Sequence, residues 1–335
     1  MSEFLKKKGI EISFRTYFVT ALSFMALGLF SSLIIGLIIR TIGEQLGLDW
    51  FYQMGDLAMG LMGPAIGVAV AYGLKAPRLV IFAAVVSGAA GAELGGPAGS
   101  FVAALLATEF GKLVSKETKI DILVTPFVTI AVGFFVATYI GPAIERGLTW
   151  FGQVIMWSTE QQPFIMGILV AVLMGLALTA PISSAAIAIM LELEGLAAGA
   201  ATVGCAAQMV GFAASSYREN GVSGLVSLGI GTSMLQVGNV MKNPLILIPP
   251  TLAGAMLAPV ATVGFQMTNN AAGAGMGTSG FVGQIMTFTS MGFSWQIFFL
   301  VLILQIVAPA IISLLLSEWL RKLQWIKPGD MKIEQ

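Results

Sequence analysis

Apolar residues run almost unbroken through long stretches of this chain, and polar ones gather in short intervals between them. The first run, Tyr17 to Ile39, carries no charge and exceeds the roughly 20 residues a helix needs to cross a hydrocarbon core. Lys6, Lys7, Lys8 and Arg15 before it resemble the start of a signal peptide. The run is longer than an h-region of about 7–15 residues, and many runs follow, so it reads as a retained first helix. Further runs fall at about 57–74, 79–92, 98–111, 122–141, 163–182, 196–216, 222–241, 245–268 and 295–317. Those at 79–92 and 98–111 are short and Gly-rich, and the weakly polar 270–290 suits a hairpin. The pattern predicts an all-α membrane protein of about ten transmembrane helices with one or two re-entrant segments, forming a single polytopic domain over 1–335.

Three breaks interrupt the apolar pattern. They are Glu93-Leu94-Gly95-Gly96-Pro97-Ala98-Gly99-Ser100, Thr179-Ala180-Pro181-Ile182-Ser183-Ser184, and Asn269-Asn270 with the Gly-rich stretch to Gly280. Non-helical backbone at membrane depth survives only inside protein or against a wet cavity, and transporters use such breaks to aim free backbone groups at a substrate. Each break alone could equally be an interfacial turn; three in one chain favour a transport site. A faint echo links two of them. Pro97 to Ser100 and Pro181 to Ser184 share a spacing, as do Pro97 to Gly111 and Pro181 to Gly195.

Composition sharpens the class. Hydrophobic residues make up 57% of the 335 positions and charged ones 10%, against about 25% charged in soluble domains, and mean hydropathy is +0.90. Lys+Arg and Asp+Glu are 17 each, so no net basic field attracts nucleic acid. With no His and one Cys, imidazole metal sites, phosphohistidine and intrachain disulfides are excluded, and no cofactor is expected. Basic residues cluster at 6–15, at Lys75 and Arg78, at Lys112, Lys116 and Lys119, and at 321–332. The positive-inside rule places these clusters in the cytoplasm, with both termini, about 1–16 and 318–335, on that side. Segments 40–54 and 143–162, with Trp50, Trp150 and Trp157, fall outside, and Arg218 conflicts with this count unless 183–194 re-enters the membrane.

Ionisable groups within spans cost several kcal/mol and point to function. Glu93, beside Gly95, Gly96 and Pro97, could accept sugar hydroxyls or a proton, or could end a helix at the interface. Lys242 could face an anionic substrate group or snorkel to headgroups. Asn239 and Asn243 both donate and accept, as reading hydroxyls requires, though Pro244 also suits a capped turn there. Ser183, Ser184, Asn269 and Asn270 could contact substrate or satisfy freed backbone. Gln208, Gln236, Gln266 and Gln284 suit interhelical hydrogen bonds, Asp56 suits an N-cap, and Cys205 suits small-residue packing.

These motifs resemble the membrane IIC component of the bacterial phosphotransferase system over roughly residues 55–310. The nearest likeness is to fructose-type IIC proteins. Their Gly-rich helix, Lys-rich loop, Pro-containing helix and closing Gly-Pro correspond to Gly88–Ser100, Lys112–Lys119, Pro126 and Gly141-Pro142. Ala180 to Ala186 resembles their Gly-Gly-Pro-Val-Asn-Lys-Ala-Ala element, with Ser183-Ser184 in place of Asn-Lys. Gly231 to Pro244 resembles their Gly-Ile-Thr-Glu-Gly-Ala-Ile-Pro-Phe-Ala element, with Met234 where the family has its sugar-binding Glu. Stand-alone IIC-like proteins, including the perfringolysin-regulator (PfoR-like) group, share this arrangement.

The resemblance implies a non-enzymatic permease of the bacterial cytoplasmic membrane. It would work as a homodimer and carry a small polar solute, a sugar or sugar acid, by alternating access. Separate IIB/IIA subunits would supply any phosphate. The alternatives are a non-transporting membrane sensor or regulator, and an ion-coupled or uncoupled organic-anion transporter without a phosphotransferase partner.

Overall fold

The computed structural model describes residues 3–333, with helices and no named strand among them. The chain forms two compact units, Met1–Thr149 and Trp150–Gln335.

Unit 1 holds α1 (Arg15–Glu44), the bent pair α2 (Asp49–Gly60) and α3 (Met62–Gly73), α4 (Arg78–Val114) and most of α5 (Asp121–Thr159). α4 is not one rod. Gly95 (φ −163°, ψ 17°) and Gly96 (φ 58°, ψ −150°) interrupt it, and the second pair of angles belongs to a region essentially reserved for glycine. The chain reverses there: a Cβ on Gly91 would sit 2.8 Å from the Ala103 Cβ, and one on Gly111 would sit 2.9 Å from Val80 Cγ1. Each arm is therefore about 26 Å long at 1.5 Å per residue, and the two lie antiparallel with their open ends together. Pro97 opens the second arm, where its fixed φ suits a helix start and its missing N–H costs nothing. The first arm packs on α3 through small residues, Gly63 and Gly67 meeting Ala84 and Gly88 backbone to backbone. Such contacts are the main source of helix association where lipid removes the hydrophobic drive.

Unit 2 is built around α8 (Gly195–Ser215), whose Ala- and Gly-rich sequence is buried along almost its whole length. Packed on it are α6 (Pro163–Thr179), α11 (Pro244–Gly264) and α13 (Trp295–Lys322). Short elements fill the rest: α7 (Ser184–Met190), α9 (Tyr217–Val226), α10 (Val237–Lys242) and α12 (Val282–Met291).

Six described helices are long and apolar enough to cross a membrane, with the two-armed α4 counted once, or seven when α2 and α3 count as one span bent by 49°. That is fewer than the ten or so hydropathy runs. The runs at 79–92 and 98–111 are the two arms of α4, and the run at 222–241 breaks into α9, two short turns and α10. The segment 143–162, expected outside the membrane, is helical as far as Thr159, where it forms the end of the 39-residue α5. Asp56 lies inside α2 and accepts from Arg40 Nη1 at 3.4 Å, so it is not an N-cap. The 97–111 and 181–195 echo does not extend to shape, because the first is a continuous helical arm and the second ends its helix at Met190.

Gly67 tests the α3–α4 contact, since an added Cβ would overlap the Ala84 carbonyl oxygen. Gly67→Ala is expected to cost about 1–3 kcal/mol by overpacking and to lower the melting temperature in detergent. Gly60→Ala, with nothing within 4 Å of the added methyl, is expected to leave it unchanged.

Candidate functional site

The break in unit 1 is the tip of the α4 hairpin. Gly95 and Pro97 are buried there, Gly96 is half-buried, and Glu93 is exposed just before the turn. Gly141 of α5 backs against the tip, where a Cβ on it would sit 2.8 Å from the Leu94 Cβ. Glu93 engages no side-chain hydrogen bond or ion pair with the described residues, so its carboxylate is free to accept.

In unit 2 the second and third breaks meet. Ser184 Oγ donates to the Gly275 carbonyl at 2.7 Å, and a Cβ on Gly275 would overlap the Ser184 carbonyl. Asn269 sits at the centre of this junction, 3% exposed. Its main-chain N–H reaches Gly195 O at 3.2 Å, and its Oδ1 accepts from the Asn270 N–H at 2.8 Å. Its Nδ2 donates among Thr202 Oγ1 (2.7 Å), Gly283 O (3.0 Å) and Thr287 Oγ1 (3.1 Å). Two hydrogens shared among three acceptors leave no spare donor, so Asn269 is committed to holding the break. The network continues as Gln305 Nε2 donates to Thr287 Oγ1 at 3.3 Å and Gln284 Nε2 to Gln305 Oε1 at 2.7 Å.

Ser183 and Asn270 differ from their neighbours. Both are half-buried, and both cap short helices. Ser183 Oγ accepts from the Ala186 N–H at 3.2 Å and Asn270 Oδ1 from the Gly273 N–H at 3.1 Å. Capping uses their acceptors only. The Ser183 hydroxyl proton is uncommitted, and Asn270 Nδ2 faces only the Met286 thioether at 3.6 Å, a weak acceptor. Each can therefore donate to a solute oxygen.

The third set of expected residues faces the C-terminal segment. Asn239 Nδ2 donates to Gln236 Oε1 (2.7 Å) and Lys332 O (2.9 Å). Asn243 Nδ2 donates to Trp325 O (2.9 Å) and Asp330 Oδ2 (2.7 Å), and its Oδ1 caps the Pro244 turn by accepting from Leu245 N at 3.1 Å. Lys242 is exposed, with only a long 3.5 Å contact to Asn239 Oδ1.

Among the Gln residues, Gln208 bonds Thr251 across helices at 2.8 Å, whereas Gln266 is exposed with φ 48°. Cys205 is buried and donates to Met174 O at 3.4 Å, a packing role.

The sequence reading missed the most buried ion pair. Lys112, expected in a cytoplasmic loop, lies in the second arm of α4, 2% exposed, with Nζ 3.3 Å from Glu109 Oε1 and 3.1 Å from Gly9 O. The i,i+3 spacing of Glu109 and Lys112 at the end of an apolar run was its sequence signal. Next to it, Lys8 donates to Ser115 O at 2.5 Å and pairs with Glu117. Hydrogen bonding from that ammonium holds the exposed Glu117 carboxyl below its usual range. Together these contacts fasten the N-terminal segment to the loop after α4. Also missed were Thr202, Thr287 and Gln305, because a Thr or Gln in an apolar helix looks like any other packing residue until its partner is known.

No group of three or more His, Cys, Asp or Glu able to hold a metal occurs among the described residues. The family model described as "Phosphotransferase system, EIIC" matches residues 19–333. No curated protein and no solved structure matches the chain.

Removing one partner of a buried pair strands the other charge, at about 3–5 kcal/mol, whereas replacing both by apolar or neutral groups is close to neutral. Lys112→Met is therefore expected to lower the melting temperature sharply, and Glu109→Gln with Lys112→Met to restore most of the loss in a double-mutant cycle.

Proposed function

The chain belongs to the phosphotransferase system EIIC family, and on that premise we propose that it carries a sugar or sugar acid across the bacterial cytoplasmic membrane by alternating access. EIIC chains are permease components of that system rather than its catalysts, and the apolar helices make this a multi-pass membrane protein. In this proposal the chain works as one polytopic domain in a homodimer, with both termini cytoplasmic.

The observation that carries the reading is the junction of two helix breaks in unit 2, fastened by Ser184 and Asn269, with Ser183 and Asn270 left able to donate. A polyhydroxylated solute offers lone pairs to such donors. Within unit 1, Glu93 at the Gly95-Gly96-Pro97 tip is by itself an acceptor for solute hydroxyls. The exposed Lys242 ammonium, only loosely held by Asn239, favours a solute bearing a carboxylate or phosphate, and Asn239 and Asn243 would flank it. With no His in the chain, it carries no phosphohistidine of its own, and separate IIB/IIA subunits would deliver phosphate to the solute.

Proteoliposomes holding only this protein, assayed by counterflow with labelled sugars and sugar acids, test the proposal. Saturable uptake of at least one solute is expected, and Ser183→Ala and Asn270→Ala should each slow it by about tenfold, the loss of one hydrogen bond. Unchanged uptake in both variants would remove this junction from the solute path. Binding without movement of any solute would overturn the permease reading itself.

A further inference from the structure

After Lys322 the chain leaves α13 and crosses the face of unit 2 formed by α9, α10 and the turn between them. It is held there chiefly by its main chain. Glu219 accepts from the Gly329 N–H (3.3 Å) and the Met331 N–H (2.8 Å). Asn220 works in both directions, donating to Met331 O at 2.8 Å and accepting from the Ile333 N–H at 3.0 Å. Gln236 Nε2 adds a second donor to Met331 O at 2.9 Å, beside the Asn239 bond to Lys332 O. Side chains alternate along the segment: Met331 is fully buried, Lys332 exposed and Ile333 buried, with Ile326 as an earlier anchor. Ile326, Met331 and Ile333 pack into one cluster with Phe212, Leu228 and Ile246.

Main-chain hydrogen bonds that supply affinity, with pockets for alternate side chains, are how proteins bind extended peptides. Nothing in this set of bonds requires that the peptide be covalently attached. Arg321 holds Glu219 from the other side at 2.9 Å, and Gln236 and Asn239 already bond one another, so these three reading groups each keep a partner outside the segment, whereas the Asn220 side-chain amide bonds the segment alone.

We propose that Glu219, Asn220, Gln236 and Asn239 form a peptide-docking groove whose resident ligand is this chain's own segment 325–333, and that undocking it unlocks the Asn239 and Asn243 amides. The groove stands on its own contacts; only its consequence for solute rests on the transport reading above. While docked, the segment spends one amide donor of Asn239 and both of Asn243, so a solute reaching them must first displace it. The segment is thereby an autoinhibitory strap.

The test uses the full chain in lipid nanodiscs and a fluorescein-labelled peptide of residues 325–335. Met331→Asp with Ile333→Asp removes two of the three buried anchors, those at the hydrogen-bonded end, and frees that part of the groove without altering the residues that form it. Fluorescence polarisation should then show one-to-one peptide binding to this variant at least ~10-fold tighter than to the unaltered chain, whose groove is competent only when its own segment is out. Adding Asn220→Ala should abolish that binding. Equal affinity for both chains, or no binding to a variant that keeps its monodispersity and slow hydrogen exchange in α8, overturns the groove. A variant that aggregates overturns it too, because the segment is then a fixed part of the fold. Transport is not read in any arm, so failure here leaves the permease proposal standing.

Discussion

Away from water, every main-chain N–H and C=O released by a helix break must find a partner inside the protein, and unit 2 is organised by that demand. The breaks at 180–183 and 265–281 free backbone groups in the middle of apolar sequence. The structure answers by bringing them together, so that Ser184 serves Gly275 and Asn269 serves Gly195, Gly283 and its own neighbour. Small residues on α8 then let the irregular backbone approach closely, with Gly277 against Cys205 and Gly199 against Met267. A bulky residue at either place would push the break away from the side chains that satisfy it.

The same demand sorts polar residues by how much capacity they retain. Asn269 and Asn270 are adjacent and chemically identical, yet the first is saturated and the second keeps a free donor. The difference comes from position alone, one facing into the α8–α12 junction and the other capping a four-residue helix. Unsatisfied hydrogen-bonding capacity, rather than polarity, separates the residue proposed to bind from the structural one here. Asn239 and Asn243 show the same logic in a third place, where amides expected to read a solute are found reading peptide backbone.

The class of protein was legible because hydrophobic patterning is a property of composition and run length, and neither needs tertiary information. The positions of the breaks were legible too, since Gly-Gly-Pro and Asn-Asn are poor continuations of any helix. Their partners were not, because Ser184 meets Gly275 and Asn269 meets Thr202 across long sequence separations that no local pattern encodes. The number of long apolar helices, six or seven, differs from the number of hydropathy runs for a related reason. Hydropathy sees apolar length, and it cannot tell a crossing from an arm of a hairpin or from the broken 222–241 stretch. Lys112 was misplaced because a basic residue near a loop is read as solvated, whereas its neighbour Glu109 and the Gly9 carbonyl make burial tolerable. The C-terminal segment was read only as basic and cytoplasmic. Its alternation of Met331, Lys332 and Ile333 is too short to register as a pattern.

The reversal at Gly96 has a consequence for parity. A hairpin whose open ends lie together contributes either two crossings or none, and never one. The flanking segments are therefore returned to the same side of the bilayer however deep the tip reaches. Lys75 and Arg78 before it, and Lys116 and Lys119 after it, share one face of unit 1 by geometry. Orientation rules that count basic residues are blind to this hairpin, which can change its depth, or be lengthened turn by turn on both arms, without inverting anything downstream.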